Sequence, residues 1–300
     1  MRPRSLPLVA CLTLAGLVPV RGQDVPIQKD VIYGKAGGAD LKLDLSRPAK
    51  GDGPFPLVVC LHGGAWQIGH RADMHARLRL LAGHGYVAAS VGYRLAPKHP
   101  FPAQIEDAKC AVRFLRAHAR DFKIDPNRVA AAGDSAGGHL ALLLGLMDAK
   151  DGLEGDGGSA GRPSKVQAVV NYFGPTDLRT WSATPQGDVL LKAVLRGKDT
   201  NALLKDLLGT TDRKAAVMAQ ASPITYVDAK DPPVLTFQGT ADPLVPAEQA
   251  KALHEALKKA GVTEKLVLLE GASHGWAGKQ KERTDRLMLE FLDRHLKANR

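Results

Sequence analysis

"VAAAGDSAGGHLALLLGL", Val129 to Leu146, passes from a short apolar segment through a cluster of small residues into an apolar, helix-prone run. At the corner stands Ser135, within Gly133-Asp134-Ser135-Ala136-Gly137. In a G-x-S-x-G sequence the serine occupies a sharp strand-to-helix turn that lifts its hydroxyl clear of the sheet. Glycines flank it because the turn brings backbones too close together for a Cβ. The helix that follows aims its first N–H groups at an oxygen that is gaining negative charge. The competing reading is a plain helix start built of small residues, and the surrounding sequence decides between the two.

Working outward, apolar and helical stretches alternate along the chain. Two alternating runs, Val31 to Tyr33 and Leu41 to Leu45, are joined by Gly37-Gly38 and predict an antiparallel hairpin at a sheet edge. "LVVCLHGG", behind Pro54 and Pro56, and "YVAASVGY" are continuous apolar runs of the kind found in strands buried on both faces. Between and after them come helical patterns over about 71–83 and 102–120, then the strand Val129 to Ala132. Farther on, "VQAVVNYF", "PPVLTFQG" and "KLVLLEG" read as strands, with helices over "PAEQAKALHEALKKAG" and about 281–297. Such alternation implies parallel strands with crossover helices on both faces. The stretch from about 179 to 227 is too long for a simple crossover and is expected to form a helical lid over the strand ends. There is no repeat and no second core, so residues 23–300 are expected to be one domain.

Residues 1–22 stand apart. Arg2 and Arg4, an apolar run from Leu6 to Val20, and Arg21-Gly22 have the order of a secretory signal peptide, too short for a comfortable membrane span. The mature protein is accordingly expected to be secreted or periplasmic, without stable membrane insertion. The formal charge of +10 becomes +7 once three arginines and no acids are removed. That excess is scattered, with no basic block of the nucleic-acid-binding kind. Of three cysteines, Cys60 and Cys110 remain after cleavage; both sit in apolar surroundings and read as buried thiols, although export would permit a bridge. Asp151, Glu154 and Asp156 lie in the Gly-rich loop 150–164 without the ordered spacing of a calcium loop, and no metal site is expected.

A serine nucleophile needs a base, and the base needs an anion to hold its tautomer. Asp242 follows the strand "PVLTFQGTAD" and His274 sits in "EGASHGW", so the three groups fall after three strands in the order Ser135, Asp242, His274. Taken singly, Asp242 reads equally well as a helix cap and His274 as a loop histidine. "HGGAW" at 62–66 follows an early buried strand, where a second backbone donor to the oxyanion belongs. Gly64, Ala65 and Ala136 are the expected donors, Gly63 allows the close approach, and His62 is expected to anchor the loop. Trp66 and Trp276 flank the expected pocket as candidate substrate contacts, with packing as the alternative; Trp181 is a weaker candidate.

In "HGGAW", "GYRLAPKHPFPAQIEDAKCAVRFL", "IDPNRVAAAGDSAGGHLALL", "GTADPLVP" and "GASHG" the chain resembles the α/β-hydrolase superfamily. Within it, the similarity is to the hormone-sensitive-lipase-like branch and related bacterial acetyl- and feruloyl-type esterases. The resemblance implies an eight-stranded, mostly parallel sheet and a serine carboxylesterase without cofactor. It implies small acyl esters as substrates, acetyl or feruloyl groups on plant-type polysaccharide among them. Ala65 departs from the family's third glycine in H-G-G-G, and Asp107 is expected to anchor a turn or ion pair. Two alternatives share the same residues: an amide hydrolase, and a non-catalytic binding protein on a hydrolase scaffold.

Overall fold

A computed structural model describes residues 25–297; the expected signal peptide lies outside the described residues. The hairpin forms from β1 (Ile27–Ala36) and β2 (Ala39–Ser46), followed by β3 (Phe55–Leu61). A 3-10 turn at Arg71–Met74 leads into α1 (His75–Gly83) and β4 (Val87–Val91). Then come α2 (Ala103–Ala117), α3 (Ala119–Phe122), β5 (Ile124–Asp134) and α4 (Ala136–Leu146). After β6 (Ala168–Tyr172) the chain forms α5 (Pro185–Val194), α6 (Thr200–Leu208) and α7 (Ala216–Gln220). It closes with β7 (Val234–Gly239), α8 (Ala247–Lys259), β8 (Glu264–Leu269) and α9 (Gly278–Leu296).

The eight strands make one sheet in the order β1-β2-β4-β3-β5-β6-β7-β8. β2 pairs antiparallel with β1 and β4, and every other pairing is parallel. Helices cover both faces, which is the α/β-hydrolase fold. Strand residues alternate between two apolar clusters, as the period-2 geometry of a strand demands. Leu57, Val59 and Leu61 of β3 face α2, α4 and α8, while Val58 and Cys60 face α1 and α9. Cys110 belongs to the first cluster and Cys60 to the second, so the two buried thiols lie on opposite faces of the sheet and are unbridged. Burial pushes the Cys60 thiol up to about 12.

Three expected boundaries shift. The helix read over 102–120 breaks at His118, β5 extends in both directions beyond Val129 to Ala132, and α9 begins at Gly278. The Gly-rich loop 150–164 is held by a row of buried cations on α2. Lys109, Arg113 and Arg116 fall on one face by i, i+4, i+7 spacing. The Lys109 Nζ donates to Gly152 O, Arg113 to the carbonyls of Glu154 and Gly158, and Arg116 to those of Pro163 and Lys165. Glu154 is engaged by Lys109 and Arg113, and the Asp151 carboxylate accepts the Asp148 N–H. Asp151 and Glu154 are therefore engaged within the protein. As expected, Asp107 forms an ion pair, accepting both the side chain and the backbone N–H of Arg94 at 2.8 to 2.9 Å.

Candidate active site

Ser135 has φ 54° and ψ −119°, a conformation that L side chains rarely adopt. Three glycines make room for it. A Cβ on Gly133 would overlap the Gly137 carbonyl, one on Gly137 the Leu61 carbonyl, and one on Gly138 the Asn171 side chain. The turn is tied to β6 by the Ser135 N–H, which donates to Tyr172 O at 2.8 Å. Strain at this residue is thus over-determined by its neighbours.

His274, in the loop after β8, places Nε2 2.9 Å from the Ser135 Oγ and Nδ1 2.8 Å from the Asp242 Oδ2. An ionised Asp242 can only accept, so Nδ1 carries the hydrogen and the Nε2 lone pair faces the hydroxyl. The Asp242 side chain is fully buried, and its other oxygen accepts the N–H groups of Leu244 and Val245 at 2.9 and 3.0 Å. Asp242 does not cap α8, whose first residue, Ala247, follows Pro246. Gln238 Nε2 donates to the same Oδ2 at 3.1 Å and to Val245 O at 2.9 Å, fixing the carboxylate from beneath. Sequence reading missed Gln238, because a glutamine in an apolar run carries no motif.

Gly64, Ala65 and Ala136 all line the cavity that contains Ser135, and none of their N–H groups has a hydrogen-bond acceptor among the described residues. Ala136 opens α4, so its N–H has no partner within the helix. Gly63 is the close-approach position, since a Cβ there would press on Asp134 O and the Ser135 side chain. His62 is the loop's anchor: its Nδ1 donates to Gly63 O at 2.7 Å and its ring stacks on Tyr93 at 4.3 Å. Burial depresses its pKa.

Ala65 has φ 51° and its neighbour Trp66 φ 58°. Donating an N–H requires no positive φ; the two residues adopt one where the turn folds back to bond Gln67 and Ile68 N–H to Gly64 O. A left-handed alanine costs about 1–2 kcal/mol, and replacing it by glycine costs about 0.5–1 kcal/mol in unfolded-chain entropy. Ala65→Gly is therefore expected to raise unfolding free energy by about 0.5–1 kcal/mol in urea titrations.

The cavity has a volume of about 450 Å³, within the usual range of small-molecule sites. Trp66 contributes to its wall but is buried, with its Nε1 donating to His139 Nδ1 at 3.3 Å and its ring edge against Trp181. Trp276 does not line the cavity, contrary to expectation. It packs behind Phe173, its Nε1 donating to Thr284 of α9, and Phe173 lines the cavity in its place, its ring centre 4.5 Å from that of His274. Much of the remaining wall comes from the segment between β6 and β7, including Trp181, Leu191, Leu195 and Leu203. That segment is fastened beside Asp242. Thr184 N donates to Pro243 O and Trp181 Nε1 to Leu244 O, each at 2.9 Å, and Gly187 brings α5 onto the Pro243 backbone.

His139, the fourth residue of α4, joins two of these parts. It accepts from Trp66 and donates through Nε2 to Ala221 O at 2.7 Å. Burial lowers its pKa to about 4, from 6.5. The unfolded chain therefore binds a proton that the fold refuses, and stability is lost as pH falls from about 6.5 to about 4. Across that window wild type is expected to lose about 3 kcal/mol more than His139→Gln in urea titrations at successive pH values.

The BD-FAE family profile matches residues 43–257. The chain belongs to the BD-FAE family. This BD-FAE member is 36% identical over 228 residues to esterase LipC of Mycobacterium tuberculosis, covering 74% of this chain and 53% of LipC. The chain spans about half the length of LipC and of the probable carboxylic ester hydrolase LipM of the same organism. Among solved structures, it is similar to Thermogutta terrifontis esterase 2 phosphonylated by sarin. The TM-score is 0.74 and the identity 29%, covering 92% of this chain and 96% of that one. A bifunctional GH43-CE protein of Bacteroides eggerthii matches with TM-score 0.75 and 30% identity, over 90% of this chain and 38% of its own. Among the described residues no helix is long and apolar enough to cross a membrane, and no three His, Cys, Asp or Glu side chains are grouped to hold a metal ion.

Proposed function

We propose that this protein is a serine carboxylesterase working through an acyl-enzyme. His274 Nε2 takes the Ser135 hydroxyl proton as Oγ bonds to the ester carbonyl carbon, and the carbonyl electrons move onto oxygen. The N–H groups of Gly64, Ala65 and Ala136 receive that oxyanion. As the carbonyl re-forms, the bond to the alcohol oxygen breaks and the alcohol leaves with the proton from His274. Water, deprotonated by the same ring, then attacks the acyl carbon; the Ser135 oxygen recovers the proton and the acid departs. Asp242 holds the ring and offsets its positive charge throughout.

The single observation that carries this reading is the line of contacts from Ser135 through His274 to Asp242, at 2.9 and 2.8 Å. The curated relatives are named esterases, which favours ester over amide cleavage. The esters to be assayed include acetyl and feruloyl esters of plant-type polysaccharide. Export to the periplasm or medium is part of the proposal, supported by the basic, apolar, small-residue order of residues 1–22. The test compares p-nitrophenyl acetate with the matching anilide, using wild type and Ser135→Ala. Ester turnover by wild type alone is expected; equal ester rates for the two proteins would end the reading. A mature N-terminus near Gln23 is the expected sign of export.

A further inference from the structure

Large apolar side chains are rarely exposed in this protein. Among the described residues six stand out, and two of those, Ile32 and Leu268, lie on strands at or next to opposite edges of the sheet. The other four gather at one place: Ile68 is 43% exposed, Val189 67%, Leu190 49% and Val194 65%. Ile68, Leu190 and Val194 line the Ser135 cavity, and Val189 adjoins Leu190 on α5. On that helix Gln186, Leu190 and Val194 form one exposed row, and Pro185, Val189 and Ala193 form the row beside it.

The opposite side of α5 is ordinary core. Leu191 and Leu195 are buried, and Gly187 seats the helix against the backbone beside Asp242. α5 is thus apolar on both sides, and its outer side is continuous with the cavity wall. An exposed apolar patch rimming a cavity marks a surface that something apolar covers. A polysaccharide offers hydroxyl groups, which would be stripped of water against Val189 and Val194 with nothing to hydrogen-bond in return.

We propose that the substrate is an amphiphilic ester in which one side carries a hydrocarbon chain that leaves the cavity between Ile68 and Leu190 and lies along the outer face of α5. This rests on the esterase reading above and names its substrate class. The chain is recognised by burial of apolar area alone, so it can belong to the acid or to the alcohol, and the experiment distinguishes them.

Hydrolysis of ethyl acetate, octyl acetate and ethyl octanoate, each below saturation, is followed by titration of released acid for wild type and for Val189→Ser/Val194→Ser. Both substituted residues are exposed, so the fold is not at stake. Wild type is expected to favour one octyl-bearing ester over ethyl acetate in kcat/KM; octyl acetate assigns the chain to the alcohol, ethyl octanoate to the acid. The double variant is expected to lower that preference about tenfold, the effect of withdrawing a few methyl groups from contact. A preference left intact in the variant would overturn the inference, as would a wild-type preference for acetylated or feruloylated oligosaccharides. So would a sedimenting dimer that Val189→Asp dissociates without changing the preference, which would assign the face to a second copy of the chain. Failure of the esterase reading looks different: no ester of any length is cleaved, or Ser135→Ala cleaves them equally well.

Discussion

Ser135→Ala is expected to lower kcat on p-nitrophenyl acetate by a factor on the order of 10⁵ to 10⁶, with thermal unfolding close to wild type. The size of the loss follows from the proposed route. Without Oγ no acyl-enzyme forms, and the oxyanion donors are left to assist only direct attack by water. The backbone at this residue adds a second, independent readout. With φ at 54°, any Cβ is strained there, so Ser135→Gly should be equally inactive yet more stable than Ser135→Ala by about 0.5–1 kcal/mol. Paired urea titrations of the two variants measure it. Equal stabilities would mean that the strain is relieved by neighbours such as Gly133 and Gly137.

Asp242→Asn is expected to cost about 10⁴-fold in kcat while KM moves far less. The reason lies in which atoms surround the side chain. One oxygen must keep accepting from Leu244 and Val245 N–H, so the new amide nitrogen would take the place of Oδ2. There it would face both His274 Nδ1 and the Gln238 amide, two groups that now donate to Oδ2. An amide N–H directed at Nδ1 forces the hydrogen onto Nε2, and the ring then points a donor at Ser135 where a lone pair is needed. Steady-state kinetics on p-nitrophenyl acetate check this. A variant that retained more than a tenth of wild-type kcat would show that His274 keeps its tautomer without the carboxylate.

Most of the frame was legible because the signal was redundant. β3 and β4 announce themselves as unbroken apolar runs, and the helices that flank them by their period, so a residue gained or lost at an end changes nothing. The break at His118 was not legible: nothing in "FLRAHARDF" marks a helix stop, and the interruption is a matter of how Phe114, His118 and Phe122 pack together. The positions of Ser135, Asp242 and His274 followed from each lying after its own strand in a parallel sheet, where the sheet order brings strand ends together. What failed was inference from chain proximity. Trp276 is two residues from His274, yet the isolated bridge between Ser273 and Gly275 turns the chain so that its side chain falls behind Phe173. Phe173 carries no motif of its own; it has φ 42° and its N–H donates to Phe237 O across to β7.

The cationic row on α2 escaped notice for a related reason. Lys109, Arg113 and Arg116 look like the solvated face of an amphipathic helix, and only the loop folded over them makes that face interior. Similarly, the sequence of α5 suggests a helix with one apolar side. Exposure of its other apolar side becomes visible only once Gly187 has fixed which way the helix faces.

The most direct measurement is labelling with a fluorophosphonate followed by mass mapping of the peptide that spans Val129 to Leu146. The account predicts one phosphonyl group on Ser135, formed in step with loss of esterase activity and greatly slowed in His274→Ala. Complete inactivation with Ser135 unmodified, or labelling of Ser135 that leaves ester hydrolysis intact, would contradict it.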